Sequence, residues 1–227
     1  MMLTCPARPY EFKYDTQQTA LFIIDFQKDF LLPGGFGDVS LGNDVSLLQR
    51  AVAPTREVLQ AARQYGLAVY HFREGYKPDL SDCHESKRNR GRLDLRIGDR
   101  GPMGRILIRG EPGNEIIDEL APLNGEPVID KPGKNAFYAT DLDARLRSAG
   151  TRYLVLTGVT TEVCDLATII GANDHGYEPL LLEDCVASYK PALHAATIEM
   201  VVSQDGILGW VAQSKEFLDS LRTAHKE

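Results

Sequence analysis

Ala20-Leu21-Phe22-Ile23-Ile24-Asp25 is the stretch that decides the fold. Five apolar side chains in a row, with no polar residue alternating between them, suit a strand buried on both faces, as strands inside a parallel sheet are. The carboxylate that ends the run stands where open parallel sheets bind ligands, outside the carboxyl ends of the strands. On position alone Asp25 reads equally well as a site residue or as a cap for the turn that follows.

Runs of the same kind recur outward from this one, at Leu67 to Phe72, Pro127 to Asp130, Arg152 to Thr157, Glu178 to Glu183 and Ile207 to Val211. Helical spacing fills most of the gaps. Val45, Leu48, Val52, Leu59 and Ala62 share one face, with Pro54 as a kink or restart and Gly66 as the stop. Further helices are expected over Asn114 to Leu120, Thr140 to Ala149, Thr161 to Asp174, Pro191 to Val202 and Lys215 to Thr223. Alternating strands and helices predict an α/β fold, a doubly wound three-layer sandwich around a six-stranded, mainly parallel sheet. The 227 residues are expected to form one domain, with a long loop insert at about 73–113. A loop of that length is usually functional.

Composition narrows the classes. The chain is 43% hydrophobic and 25% charged, and no apolar run is long enough to span a bilayer. The first residues, with Arg8, Pro9 and Glu11, do not read as a secretory signal, so a cytoplasmic protein without membrane partners is expected. A net charge of −7 argues against nucleic acid as a partner, and the basic run from Lys87 to Arg92 reads as solvated loop surface. The four cysteines lie far apart with no Cys-x-x-Cys pair, so each is judged as a separate thiol.

One of them is placed for chemistry. In Thr157-Gly158-Val159-Thr160-Thr161-Glu162-Val163-Cys164 a thiol falls in the first turn of a helix that directly follows a strand. Free N–H groups and the dipole at a helix start favour thiolate and can hold an oxyanion. A buried cysteine packing as a small hydrophobe is the bland alternative. Cys185, after another strand, is the rival thiol, and Lys131 ends its strand as Asp25 does.

Together, Ile23-Ile24-Asp25-Phe26-Gln27-Lys28-Asp29-Phe30, Asp130-Lys131-Pro132 and Gly158-Val159-Thr160-Thr161-Glu162-Val163-Cys164 resemble the three motifs of isochorismatase-like cysteine hydrolases, in order, from about Thr19 to Phe217. The segments His71 to Leu80, Gly104 to Gly113, Asp130 to Lys134 and Gln204-Asp205-Gly206 look most like biuret hydrolase and its triuret-hydrolysing relatives. The ureidoacrylate amidohydrolases are similar, but less so in the middle of the chain. The resemblance implies a nucleophile at Cys164, a base at Asp25 and a charge-stabilising Lys131, with a cis peptide between Val159 and Thr160. It further implies that Phe30, Lys134, Thr160, Thr161 and Gln204 bind a small ureide.

No cofactor is expected, and no metal. Nicotinamidases of this superfamily hold a metal through an Asp-x-His pattern that Asp82-Cys83-His84 imitates, but it lies about ten residues beyond its strand. Relatives assemble as dimers or tetramers, so a homo-oligomer is expected. Alternatives are an N-carbamoyl amidohydrolase or a non-catalytic binding module, and the presence of Cys164 argues against the latter.

Overall fold

A computed structural model describes residues 2–223. The strands are β1 (Met2–Cys5), β2 (Phe12–Asp15), β3 (Thr19–Ile24), β4 (Ala68–Glu74), β5 (Arg100–Gly101), β6 (Gly104–Arg105), β7 (Val128–Lys131), β8 (Tyr153–Val159), β9 (Glu178–Ala187) and β10 (Trp210–Ala212). The helices are α1 (Lys28–Leu31), α2 (Ser46–Gln49), α3 (Val52–Gln64), α4 (Glu85–Arg88), α5 (Leu142–Ser148), α6 (Leu166–Asp174), α7 (Pro191–Gly206) and α8 (Ser214–Thr223).

Six strands form one sheet in the order β10-β9-β8-β3-β4-β7, and every neighbouring pair is parallel. The apolar run of β3 explains its central place. Leu21 and Ile23 face one core, with Val58, Leu59, Phe217 and Leu221 from α3 and α8. Ala20, Phe22 and Ile24 face the other, with Leu142, Leu146, Ile169, Ile198 and Val201 from α5, α6 and α7. Burying each large apolar side chain contributes about 1.5–3 kcal/mol, so both helix layers are held by the same strand.

The order of the strands sets the position of the site. From β3 the chain builds outward through β4 to β7, then returns to lay β8 against the other side of β3 and builds outward again. Strand order therefore reverses between β3 and β8, and the crevice at their carboxyl ends is where sheets of this kind bind ligands. Register keeps the key residues level: Ile24 pairs with Phe72 and with Gly158, and Glu74 pairs with Lys131. A side chain at Gly158 would collide with the Asp165 carboxylate and with Ile24, so glycine permits this close approach of β8 to β3.

Several sequence expectations need correction. Asn114 to Leu120 is not a helix but two 3₁₀ turns, Pro112–Asn114 and Asp118–Leu120. Its backbone is drawn to α1 instead, through Lys28 N–H to Glu115 O at 2.8 Å and Ile117 N–H to Phe26 O at 2.9 Å. The insert after β4 folds back on its own chain, where Tyr76 pairs with Ile108 and buries Ile106, Leu107 and Ile108. Among the described residues no helix is long and apolar enough to cross a membrane.

Candidate active site

Asp25, the first residue past β3, has a left-handed backbone with φ of 56°. Aspartate is among the few non-glycine residues that tolerate this region, at a cost of about 1 kcal/mol or more, and such strain concentrates at functional sites. The turn buries its carboxylate completely. One oxygen accepts the Glu74 N–H at 2.9 Å and the other the Lys131 ammonium at 2.7 Å. Lys131, also fully buried, gives a second hydrogen bond to the Gly133 carbonyl at 3.0 Å.

Cys164 comes from the other half of the sheet. After β8 a wide helical turn, Thr161–Asp165, leads into α6 and carries the thiol over the crevice. The Val159–Thr160 peptide is cis, as the motif implies. The Cys164 thiol donates a hydrogen bond to the Glu74 carboxylate at 3.8 Å, and its sulfur lies within 4.8 Å of an Asp25 carboxylate oxygen. The structure brings Asp25, Lys131 and Cys164 together at one point, although Asp25 lies more than a hundred residues before either of the others.

Glu74 is the residue that the sequence reading misses. It is completely buried at the end of β4, and one of its oxygens accepts Lys134 at 2.9 Å and the Tyr76 hydroxyl at 2.9 Å, with Lys87 at 3.3 Å. The other accepts Lys134 at 2.7 Å. Lys87, expected on solvated surface, instead reaches inward from α4, across the Tyr76 ring and onto the Pro132 carbonyl at 3.2 Å. The rest of the basic run, Arg88 to Arg92, is exposed as expected.

These contacts give the two carboxylates different roles. Burial alone would push Glu74 up, but the ammoniums of Lys134, Lys131 and Lys87 outweigh it and hold the carboxyl at about 2, a fixed anion. For Asp25 burial prevails over Lys131, and the Glu74 charge adds to it, so its affinity for a proton is raised. Asp25 is therefore the better base. Burial also pushes the Cys164 thiol well up, opposed by Lys131, so the resting group is a thiol whose proton must be taken during reaction. Asp165 is buried with no hydrogen-bond partner on either oxygen, and burial and the Asp25 charge push it well up. Three ammoniums then face two carboxylates, and the remaining positive charge is what a thiolate or an oxyanion would neutralise.

A cavity of about 270 Å³ opens onto this cluster, lined by Phe30, Phe36, Glu74, Lys134, Thr160 and Cys164, with Lys190 among the other residues of its wall. Phe30, Lys134 and Thr160 thus stand where expected. Thr161 does not line the cavity, since its hydroxyl is bonded to His194 at 2.9 Å. Gln204 is misplaced by the sequence reading: it is exposed at the far end of α7, which leaves the carboxyl edge and runs back roughly 20 Å to the amino edge. A residue just before a parallel strand lies where that strand enters, opposite the site of its own chain.

Metal-type donors do converge, because Asp25, Glu74 and Cys164 place ligand atoms within 4.8 Å of one another. However, Lys131 and Lys134 already supply the positive charge that two carboxylates demand, at 2.7 Å from each, so the cluster does not fit a cation. Asp82 is engaged by Arg109 and the Lys77 N–H, and His84 by the Tyr138 hydroxyl.

The doubly wound fold and its crevice of thiol, carboxylate and lysine define an isochorismatase-like hydrolase. Residues 19–216 match the isochorismatase domain, and the chain belongs to that family. Among solved structures it is similar to a cysteine hydrolase from Pseudomonas syringae pv. phaseolicola 1448A, at 24% identity and a TM-score of 0.80 over 93% of this chain and 96% of that one. It is similar also to an isochorismatase family protein from Desulfovibrio vulgaris subsp. vulgaris str. Hildenborough (26%, TM-score 0.72, 90% and 98%). A third similar structure is N-carbamoylsarcosine amidase from Thermoplasma acidophilum (26%, TM-score 0.65, 87% and 96%).

Proposed function

We propose that the chain is a cysteine-dependent amidohydrolase that cleaves a C–N bond of a small ureide, biuret or triuret in type, through a thioester. The observation that carries this reading is the Cys164 thiol set between a carboxylate of raised proton affinity, Asp25, and a fixed carboxylate, Glu74, with Lys131 bonded to the first. In the first half-reaction Asp25 takes the thiol proton as sulfur attacks the carbonyl carbon. The tetrahedral oxyanion is held by backbone N–H groups around Thr160 and Cys164. It collapses as the C–N bond breaks, and Asp25 returns the proton to the nitrogen, which leaves as ammonia. Water then attacks the thioester, giving up a proton to Asp25, and the released sulfur recovers it.

The cavity suits a planar, polar substrate. Phe30 and Phe36 meet edge to face on its apolar side, and Lys134 offers a donor to a second carbonyl. One similar protein is named as an amidase of a carbamoylated amine, itself a ureide. Lys190 in the cavity wall favours a second reading, a carboxylated ureide such as ureidoacrylate or an N-carbamoyl amino acid. Ammonia release from biuret, triuret, ureidoacrylate, N-carbamoylsarcosine and nicotinamide separates these readings. One of the first two should be turned over fastest, and a preference for nicotinamide would overturn the ureide assignment.

A further inference from the structure

We propose that Glu74 is the acceptor that holds the departing amide nitrogen, and that it thereby sets a preference for amides over esters at this site. The assignment rests on the amidohydrolase reading and adds a recognition residue to it.

The two oxygens of Glu74 are used unequally. One is crowded by Lys134, the Tyr76 hydroxyl and Lys87. The other accepts Lys134 and faces the Cys164 sulfur at 3.8 Å. A carboxylate oxygen has two lone pairs, so the second oxygen keeps one directed toward the thiol. Once the thiol proton has passed to Asp25 and sulfur is bonded to the carbonyl carbon, the substituents of that carbon occupy the space between sulfur and Glu74. An amide N–H there donates to the carboxylate, whereas an ester oxygen sets a lone pair against a fixed negative charge.

The position of this acceptor is tightly determined. The Glu74 N–H is held by Asp25 and Gln27, at 2.9 and 2.8 Å, and its carbonyl by the side-chain amides of Gln27 and Asn114, at 2.9 and 2.8 Å. A side chain at Gly75 would strike Asn114, so the backbone here has no room to shift. Three lysines keep the group ionised, which makes it an acceptor only and never a donor. A carboxylate held this firmly beside a nucleophile raises the cost of forming thiolate, and this cost is what an acceptor for the leaving nitrogen would offset.

The test uses the full-length chain, the ureide it hydrolyses best and the methyl ester of the same acyl group, which has no N–H on its leaving atom. Glu74→Gln keeps the size and removes the charge. Amide kcat/KM should fall about 10–100-fold, the value of a hydrogen bond to a charged group, while the ester rate changes by less than about threefold. Alkylation of Cys164 by a small neutral reagent at pH 7 should become faster, because a like charge beside the thiolate is gone. A merely structural role would slow all three rates together, and that result, or equal loss on amide and ester, overturns the proposal. Should Glu74→Gln fail to fold, Lys87→Met on the insert carries the test. Alkylation should then slow and the amide-to-ester ratio rise, because the Glu74 charge is less compensated, and a ratio that stays the same or falls overturns the assignment. A chain that cleaves another primary amide but no ureide refutes the substrate reading alone, and the same comparison is then decided on that amide and its ester.

Discussion

Two charge clusters lie on this sheet, the first half-buried and the second buried around its carboxylates, and they differ in completeness. Arg63, Glu126 and His71 form the first: Arg63 grips the Glu126 carboxylate at 2.7 and 2.8 Å, while the His71 ring and the Leu123 N–H reach it at 2.8 and 2.9 Å. Burial pushes the His71 imidazole below its usual value, so the cluster holds one guanidinium and one carboxylate. It is balanced, and it ties the end of α3 to the loop before β7. The second cluster joins Asp25, Glu74, Lys131, Lys134 and Lys87 to a thiol, has one positive charge in excess, and opens onto a cavity. A closed, balanced network serves the fold, whereas an unbalanced one beside a cavity is ready to receive charge.

The largest effect that would break this contrast is at the thiol. Cys164→Ala should reduce ammonia release at least about 1000-fold while the melting temperature stays within a few degrees of wild type. Retention of more than a few per cent of activity would remove the nucleophile from the second cluster. Asp25→Asn should lower kcat/KM about 100- to 10,000-fold, the usual contribution of a positioned base. In the wild type the acid limb of kcat/KM should lie above the ordinary aspartate value of about 4, since burial raises this group. A limb at or below that value would reassign the base.

The first cluster should respond in stability instead. Glu126→Gln should cost about 1–3 kcal/mol of unfolding free energy and leave the kcat of the folded enzyme unchanged. Burial alone would raise Glu126, but the Arg63 hydrogen bonds and their neighbours hold it at about 2, below its ordinary 4.5. Its contribution is thus present in full above pH 4.5 and is lost as pH falls toward 2. Thermal melts from pH 7 to 3 should show the gap between wild type and Glu126→Gln closing on the acid side. The smallest effect is expected at Gln204, where replacement by alanine should alter kcat/KM by less than about twofold. A loss of tenfold or more would mean that the amino edge of one chain serves the cavity of another.

The six sheet strands were open to sequence reading because each is an apolar run with a clear end, and Asp25, Lys131 and Cys164 because they follow those ends. Glu74 is hidden by Arg73, which makes the strand seem to stop at Phe72. The alternation Tyr70, Phe72, Glu74 nevertheless places the glutamate on the buried face, and that parity was the available signal. Lys87 offers none, since a lysine in an aperiodic polar stretch shows its partner only after the chain has folded back. The hairpin of β1 and β2 escapes because its strands have four residues each, too few for alternation to stand out. Gln204 is the instructive error, because the direction of a parallel strand already assigns what precedes it to the far edge.

The reversal of strand order between β3 and β8 has a consequence for the life of the chain. Base and lysines all precede β8 in the chain, and the thiol follows it. During synthesis the residues up to Lys134 emerge as a charged cradle without a nucleophile, and the later ones bring a sulfur that has no base until it docks. Attack on an amide is thereby confined to molecules in which both parts have met, since a truncated or half-assembled chain holds a thiol with no base beside it.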